Sequence, residues 1–201
     1  MTTEPHIHVL RQENCPASPV EDFCNELKPE LNVEAVERPE PGPFAALEWL
    51  IPTAVIVYLA RPYFDGFLGE AGKDHYHKLK RAVTRLGKSY TLKTQGAQRY
   101  VASEGKVDST IPEYSLRFSV LAYVELNLDF KLLIRSGAAD EEVETAITRF
   151  LNTVHRLHSG QYEKGEILGI DGAKPYSDTI VIAYDAAADQ LLVLDPLKRA
   201  K

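Results

Sequence analysis

Between Leu116 and Arg135 the chain alternates apolar and mixed positions with a period of two, and no other stretch narrows the possible folds as far. Leu116, Phe118, Val120, Ala122, Val124 and Leu126 alternate with Arg117, Ser119, Leu121, Tyr123 and Glu125. Past Asn127, Leu128, Phe130, Leu132 and Ile134 alternate with Asp129, Lys131, Leu133 and Arg135. Successive side chains of a strand point to opposite faces, so this pattern gives one apolar face that must be covered and one mixed face for water or a second layer. Two readings fit: two strands that meet near Asn127, or one long strand that bends there. Immediately afterwards the period changes. Val143, Ala146, Ile147, Phe150, Leu151, Val154 and Leu157 form a stripe at helical spacing, which predicts a helix from Ala139 to Ser159. Asp140, Glu141, Glu142 and Glu144 crowd its first turns, where the helix dipole favours acids, and Gly160 ends it.

The remaining pattern supplies more of both kinds of element. Ile7 to Leu10 reads as a first strand. Ser18, Pro19 and Glu21 read as a capping box opening a helix to about Lys28, with Val20, Phe23, Cys24 and Leu27 on one face. Leu31, Val33 and Ala35 alternate as a half-solvated strand, and residues 37–43 form a Pro-rich turn. Phe44 to Leu50 suggests a helical turn or two. Val55 to Tyr58 reads first as a buried central strand, with a buried helix as the alternative, because periodicity does not separate the two at this length. Pro62 to Leu68 predicts a short helix, and Lys73 to Lys88 a longer one, with Gly87 near its end. Ser89 to Lys93 and Arg99 to Ala102 look like short strands, and Thr179 to Tyr184 with Leu191 to Leu194 like an antiparallel hairpin. The expected fold is a single α+β domain spanning residues 1–201, an antiparallel or mixed β-sheet packed against three to five helices, with any subdivision falling near 37–43.

Composition excludes several classes. Apolar residues make up 44% of the chain, enough for a sizeable core, and the formal net charge of −6 argues against a general nucleic-acid binder. Two cysteines, Cys15 and Cys24, make neither a disulfide framework nor a cysteine zinc site, so a reducing, cytoplasmic setting is expected. The first residues lack the basic-then-apolar signature of a secretory signal. The most apolar run, Phe44 to Ala60, is broken by Glu48 and Pro52, so no transmembrane segment is expected. The charge is uneven: residues 1–50 carry a net −7, residues 61–106 a net +6, and residues 107–201 a net −5. The basic middle either pairs with its acidic flanks or meets an anionic partner.

That middle segment holds the candidate sites. Lys78, Arg81, Arg85 and Lys88 recur at helical spacing, and four cations on one face repel unless something neutralises them. Tyr63 and Phe67, among the aromatics before the helix, are suited either to the core or to an interface. Asp74, His75 and His77 are the densest group of titratable side chains and could serve a small ligand. Residues two apart on a helix diverge by about 200°, however, so His75 and His77 do not face one ion, and Asp74 with Lys78 reads as a helix ion pair. His6 with His8, and His155 with His158, share a side but lack the further ligands a zinc site needs. No metal and no cofactor is expected. No dinucleotide fingerprint, phosphate loop, metalloprotease helix or nucleophile elbow occurs, which leaves enzymatic activity an open question.

The expected function is therefore that of a non-enzymatic interaction or regulatory protein. It would act through the aromatic and basic segment 44–90 on a protein partner or on a second copy of itself; nucleic acid and other anionic ligands rank behind. The alternative is an enzyme or small-ligand-binding protein with a pocket near Asp74, His75 and His77.

Overall fold

The structure, a computed structural model, describes residues 4–28, 30–39, 53–67, 72–91, 100–101, 107–108, 113–161 and 166–195. In chain order the first half runs β1 (Ile7–Gln12), α1 (Ser18–Leu27), β2 (Val33–Arg38), β3 (Val55–Leu59), α2 (Arg61–Phe67) and α3 (Gly72–Thr91). Then come β4 (Tyr100–Val101), β5 (Val107–Asp108), β6 (Tyr114–Glu125), β7 (Leu128–Arg135), α4 (Asp140–His158), β8 (Ile167–Leu168), β9 (Thr179–Asp185) and β10 (Gln190–Val193). Eight strands form one sheet in the order β2-β1-β3-β6-β7-β9-β10-β8, and β4 pairs with β5 apart from it. The sheet is mixed. β1/β2, β3/β6, β7/β9 and β8/β10 run parallel, whereas β1/β3, β6/β7 and β9/β10 run antiparallel. This is an α+β domain with a mixed eight-stranded sheet packed against four helices, as the alternation and helical stripes imply.

The two faces of the sheet differ in chemistry. Ile7, Val9, Val55, Val57, Leu59, Phe118, Val120, Ala122, Phe130, Leu132, Ile134, Ile180 and Ile182 share one face, and all join the core cluster with the buried stripes of the helices. Burying each large side chain of this kind contributes about 1.5–3 kcal/mol. The second face carries the alternate residues. In one rung His8, Tyr58, Leu121, Lys131 and Val181 lie side by side; in the next lie Leu10, Ile56, Ser119, Leu133, Ala183 and Leu192. Its centre is buried as well, at Ile56, Ser119, Lys131, Leu133, Val181 and Ala183, none of which belongs to the helix-side cluster.

Several local expectations change. Glu125 pairs with Leu128, so the long alternation is two strands joined by a tight turn, with Asn127 in the left-handed region at φ 60°. Ser18 is not a cap: α1 is preceded by Ala17, no side chain caps it, and Pro19 sits in its first turn. Val33 is buried but Ala35 is exposed, because β2 is an edge strand. α3 does not stop near Lys88 but continues to Thr91, so Ser89 and Tyr90 are helical rather than extended. The cause lies at Gly87, where α3 crosses α4 and β6. A Cβ there would stand 2.9 Å from Ile147 Cδ1 and 3.0 Å from Phe118 Cε1, so this glycine permits close packing and does not end the helix. One turn on, Tyr90 is buried and its hydroxyl donates to the Pro16 carbonyl, which anchors the extension. Of the 37–43 stretch, Glu37 and Arg38 close β2. Residues 40–43, the proposed helical turn at 44–50 and residues 92–99 lie outside the described residues. Among the described residues no helix is long and apolar enough to cross a membrane.

Candidate functional site

The basic stripe of α3 meets acids from the elements on either side. Lys78 Nζ donates to Glu30 Oε1 at 2.7 Å, Arg85 to Glu26 Oε2 at 2.8 Å and Lys88 to Glu144 Oε2 at 2.7 Å. Lys78 thus bonds to Glu30, not to Asp74. His75 Nδ1 also lies 2.8 Å from Glu30 Oε2, so one carboxylate collects two α3 side chains. The Lys78 hydrogen bond, more than any other influence, holds the Glu30 carboxyl below the usual range; Lys88 does the same for Glu144. Arg81 is exposed and has no ion pair among the described residues, and Arg85 keeps 68% of its side chain exposed despite its partner. Asp74 and His77 are exposed as well. Tyr63 is only 3% exposed and belongs to the core, set edge-on against Phe64; the side chain of Phe67 lies outside the description.

The remaining histidines are taken up by packing. His6 Nδ1 accepts the Asn32 backbone N–H at 3.0 Å, and His8 lies 3.4 Å from Glu34 and stacks on Tyr58. His158 stacks on Phe64 with ring centroids 3.8 Å apart, and its Nε2 lies 2.8 Å from the Tyr123 carbonyl. His155 stacks on Tyr76, whose hydroxyl donates to Asn152. Burial lowers the pKa of both His6 and His155. Among the described residues no group of three or more His, Cys, Asp or Glu side chains is gathered as a metal site requires.

The unusual chemistry lies on the second face of the sheet, outside the sequence-derived candidates. Lys131 is only 7% exposed, and its ammonium has no hydrogen-bond or ion-pair partner among the described residues. Burial pushes its pKa down to about 8, and the positive Arg38 guanidinium adds to the shift. Arg38 comes from the far edge strand β2 and reaches inward. Its Nη2 donates to the Thr53 carbonyl at 3.3 Å, while its Nε is buried with no partner. Thr53 Oγ1 donates to the Val55 carbonyl at 3.2 Å, so at the 2.5 Å contact between Thr53 and Ser119 it is Ser119 Oγ that donates. Those hydroxyls are therefore engaged with each other and with the backbone. At the other end of the face Tyr58 makes a long 3.5 Å contact to Asp129. Burial raises the pKa of both, that of Tyr58 to about 12. The face thus holds one buried nitrogen donor without a hydrogen-bond partner, Arg38 Nε, and, on β7, a lysine whose side chain is largely buried.

The sequence did carry one sign of this. Lys131 stands inside a strongly alternating strand with Leu133 as its same-face neighbour, which marks the face it lies on but not its burial. Arg38 gave no such sign, because its approach depends on the order of the strands. A cleft of ≈ 270 Å³ lies elsewhere, between α4 and β10, but ion pairs of Arg149 with Asp189 and Arg156 with Glu166 already neutralise its charges. Comparison of the chain with protein-family models, with curated proteins and with solved structures returns no match, so the reading of its function stands on the Lys131 face itself.

Proposed function

We propose that this protein binds a small molecule on the second face of its sheet, with Lys131 at the centre of the site. One observation carries the reading: Lys131 is only 7% exposed and has no ion pair among the described residues, while the Arg38 Nε on the same face is buried without a hydrogen-bond partner. Withdrawing a cation from water without a counter-charge costs several kcal/mol in general. A bound ligand offering an acceptor would recover that cost, and the surrounding Ile56, Leu133 and Val181 supply the apolar walls typical of small-molecule sites. The test is native mass spectrometry of the purified protein after exposure to a low-molecular-mass metabolite fraction. The wild type is expected to retain a compound that Lys131→Met does not. Equal retention by both proteins would remove Lys131 from the site.

A second reading keeps the interaction role expected from the basic segment, narrowed to Arg81 and the exposed part of Arg85. Its support is that Arg81 is exposed on α3 with no ion pair among the described residues, while its neighbours in the stripe are matched by Glu26, Glu30 and Glu144. A protein partner with a complementary acidic patch would suit it. Affinity capture with wild type and with an Arg81→Glu, Arg85→Glu double variant tests it: an unchanged set of captured proteins rejects this surface.

A further inference from the structure

We infer that the ligand of the Lys131 face is a small oxyanion, a carboxylate or a phosphate group, held between the Lys131 ammonium and the Arg38 guanidinium. This rests on the small-molecule reading above and adds the ligand's chemical class. Three features of the face carry it. First, Arg38 is anchored at Thr53, whose hydroxyl meets Ser119 on β6, and Ser119 pairs with Leu133, two residues from Lys131 on the same face of β7; the Arg38 charge works against the Lys131 ammonium, and no described carboxylate pairs with either. A neutral ligand would leave that repulsion in place, whereas an anion removes it and offers an acceptor to both donors. Second, Arg38 Nε is buried without a partner while Nη2 holds the Thr53 carbonyl, so the guanidinium is fixed in place with a donor in reserve. A guanidinium is the side chain best matched to the planar or tetrahedral oxygens of such groups. Third, the neighbouring hydroxyls of Ser119 and Thr53 are committed to each other and to the Val55 carbonyl, so Lys131 and Arg38 are the donors that remain. Asp129, two residues from Lys131 on the same face, is engaged by Tyr58, and burial lifts its pKa.

Isothermal titration at fixed pH and constant ionic strength, with sulfate, inorganic phosphate and acetate as probes and chloride as the control ion, tests the inference. Wild type is expected to bind at least one oxyanion over chloride. Lys131→Met and Arg38→Met should each weaken that binding at least about tenfold. Arg38→Lys should recover part of it, because the charge returns without the fork. A stronger response to phosphate and sulfate would point to a phosphorylated ligand, and a stronger response to acetate to a carboxylic acid. Circular dichroism and urea unfolding of each variant verify that it folds; a variant that does not is replaced by Lys131→Gln or Arg38→Gln. If the metabolite experiment retains a Lys131-dependent compound that is uncharged, and oxyanions neither bind nor displace it, the oxyanion assignment falls and the small-molecule reading stands. If neither oxyanion nor metabolite distinguishes wild type from folded variants, both are overturned.

Discussion

Lys131 is the residue at which stability and proposed function pull apart. Its pKa falls from an ordinary lysine value near 10.5 to about 8, with burial as the first cause. Between those values the unfolded chain holds a proton that the folded protein has lost. Stability should therefore rise as pH increases from about 8 towards 10.5, with a total effect on the order of 3 kcal/mol. Urea unfolding at a series of pH values will show this slope in wild type, and Lys131→Met should flatten it. At neutral pH the same variant is expected to be more stable than wild type, by about 1–3 kcal/mol, since a thioether chain of similar length escapes the desolvation cost. A destabilised Lys131→Met would mean that the ammonium has a partner after all. Gly87 is the second residue of consequence. Alanine would gain about 1 kcal/mol of helix propensity. Its Cβ would press on Ile147 and Phe118, both fully buried, and Gly87→Ala should lower the unfolding free energy by about 1–2 kcal/mol overall. The strand lysine was visible in the sequence as a mixed-face position; its burial was not. Alternation tells which side chains share a face, and says nothing of how deeply that face is enclosed.

At the scale of elements, the strong periodicities carried furthest. β6, β7 and α4 form where the alternation and the seven-residue stripe require, and β9 with β10 forms the expected hairpin. What the local pattern missed was set by contacts distant in sequence. α3 runs on past Lys88 because Tyr90 reaches Pro16, and Ser18 gives up its capping role because the helix starts one residue earlier. The fate of the basic stripe was equally non-local: Glu26 and Glu30 belong to α1 and the turn after it, and Glu144 to α4. These exposed pairs hold α3 in register more than they stabilise it, for solvent screens them. Glu30→Gln should accordingly leave the thermal midpoint nearly unchanged. In wild type the contribution of Glu30, whose pKa is depressed, is present above the ordinary glutamate range and disappears as pH falls through the lowered value. A large drop in midpoint for Glu30→Gln at neutral pH would show that these tethers matter far more than exposed pairs usually do.

Across the whole molecule, protection should follow position in the sheet. β3, β6, β7 and β9 have neighbours on both sides, whereas β2 and the two-residue β8 lie at the edges. Amide hydrogen exchange is therefore expected to be slowest at Val57, Val120, Leu132 and Ile182 and fastest along the Glu34–Glu37 stretch. Comparable rates at centre and edge would contradict the strand order. That order has one more implication. Strands from residues 7–59 fill one end of the sheet and strands from residues 114–193 fill the other, and among the described strands of the two sets only β3 and β6 are bonded to each other, from Val55↔Phe118 to Leu59↔Ala122. The molecule can be thought of as two pieces zipped along a single line, with α3 of the first piece reaching over to clasp β6 and α4 of the second. Two polypeptides divided between Thr91 and Glu113 and produced together should find each other and rebuild that line without the peptide link, which would make the chain a natural template for a reassembling split protein.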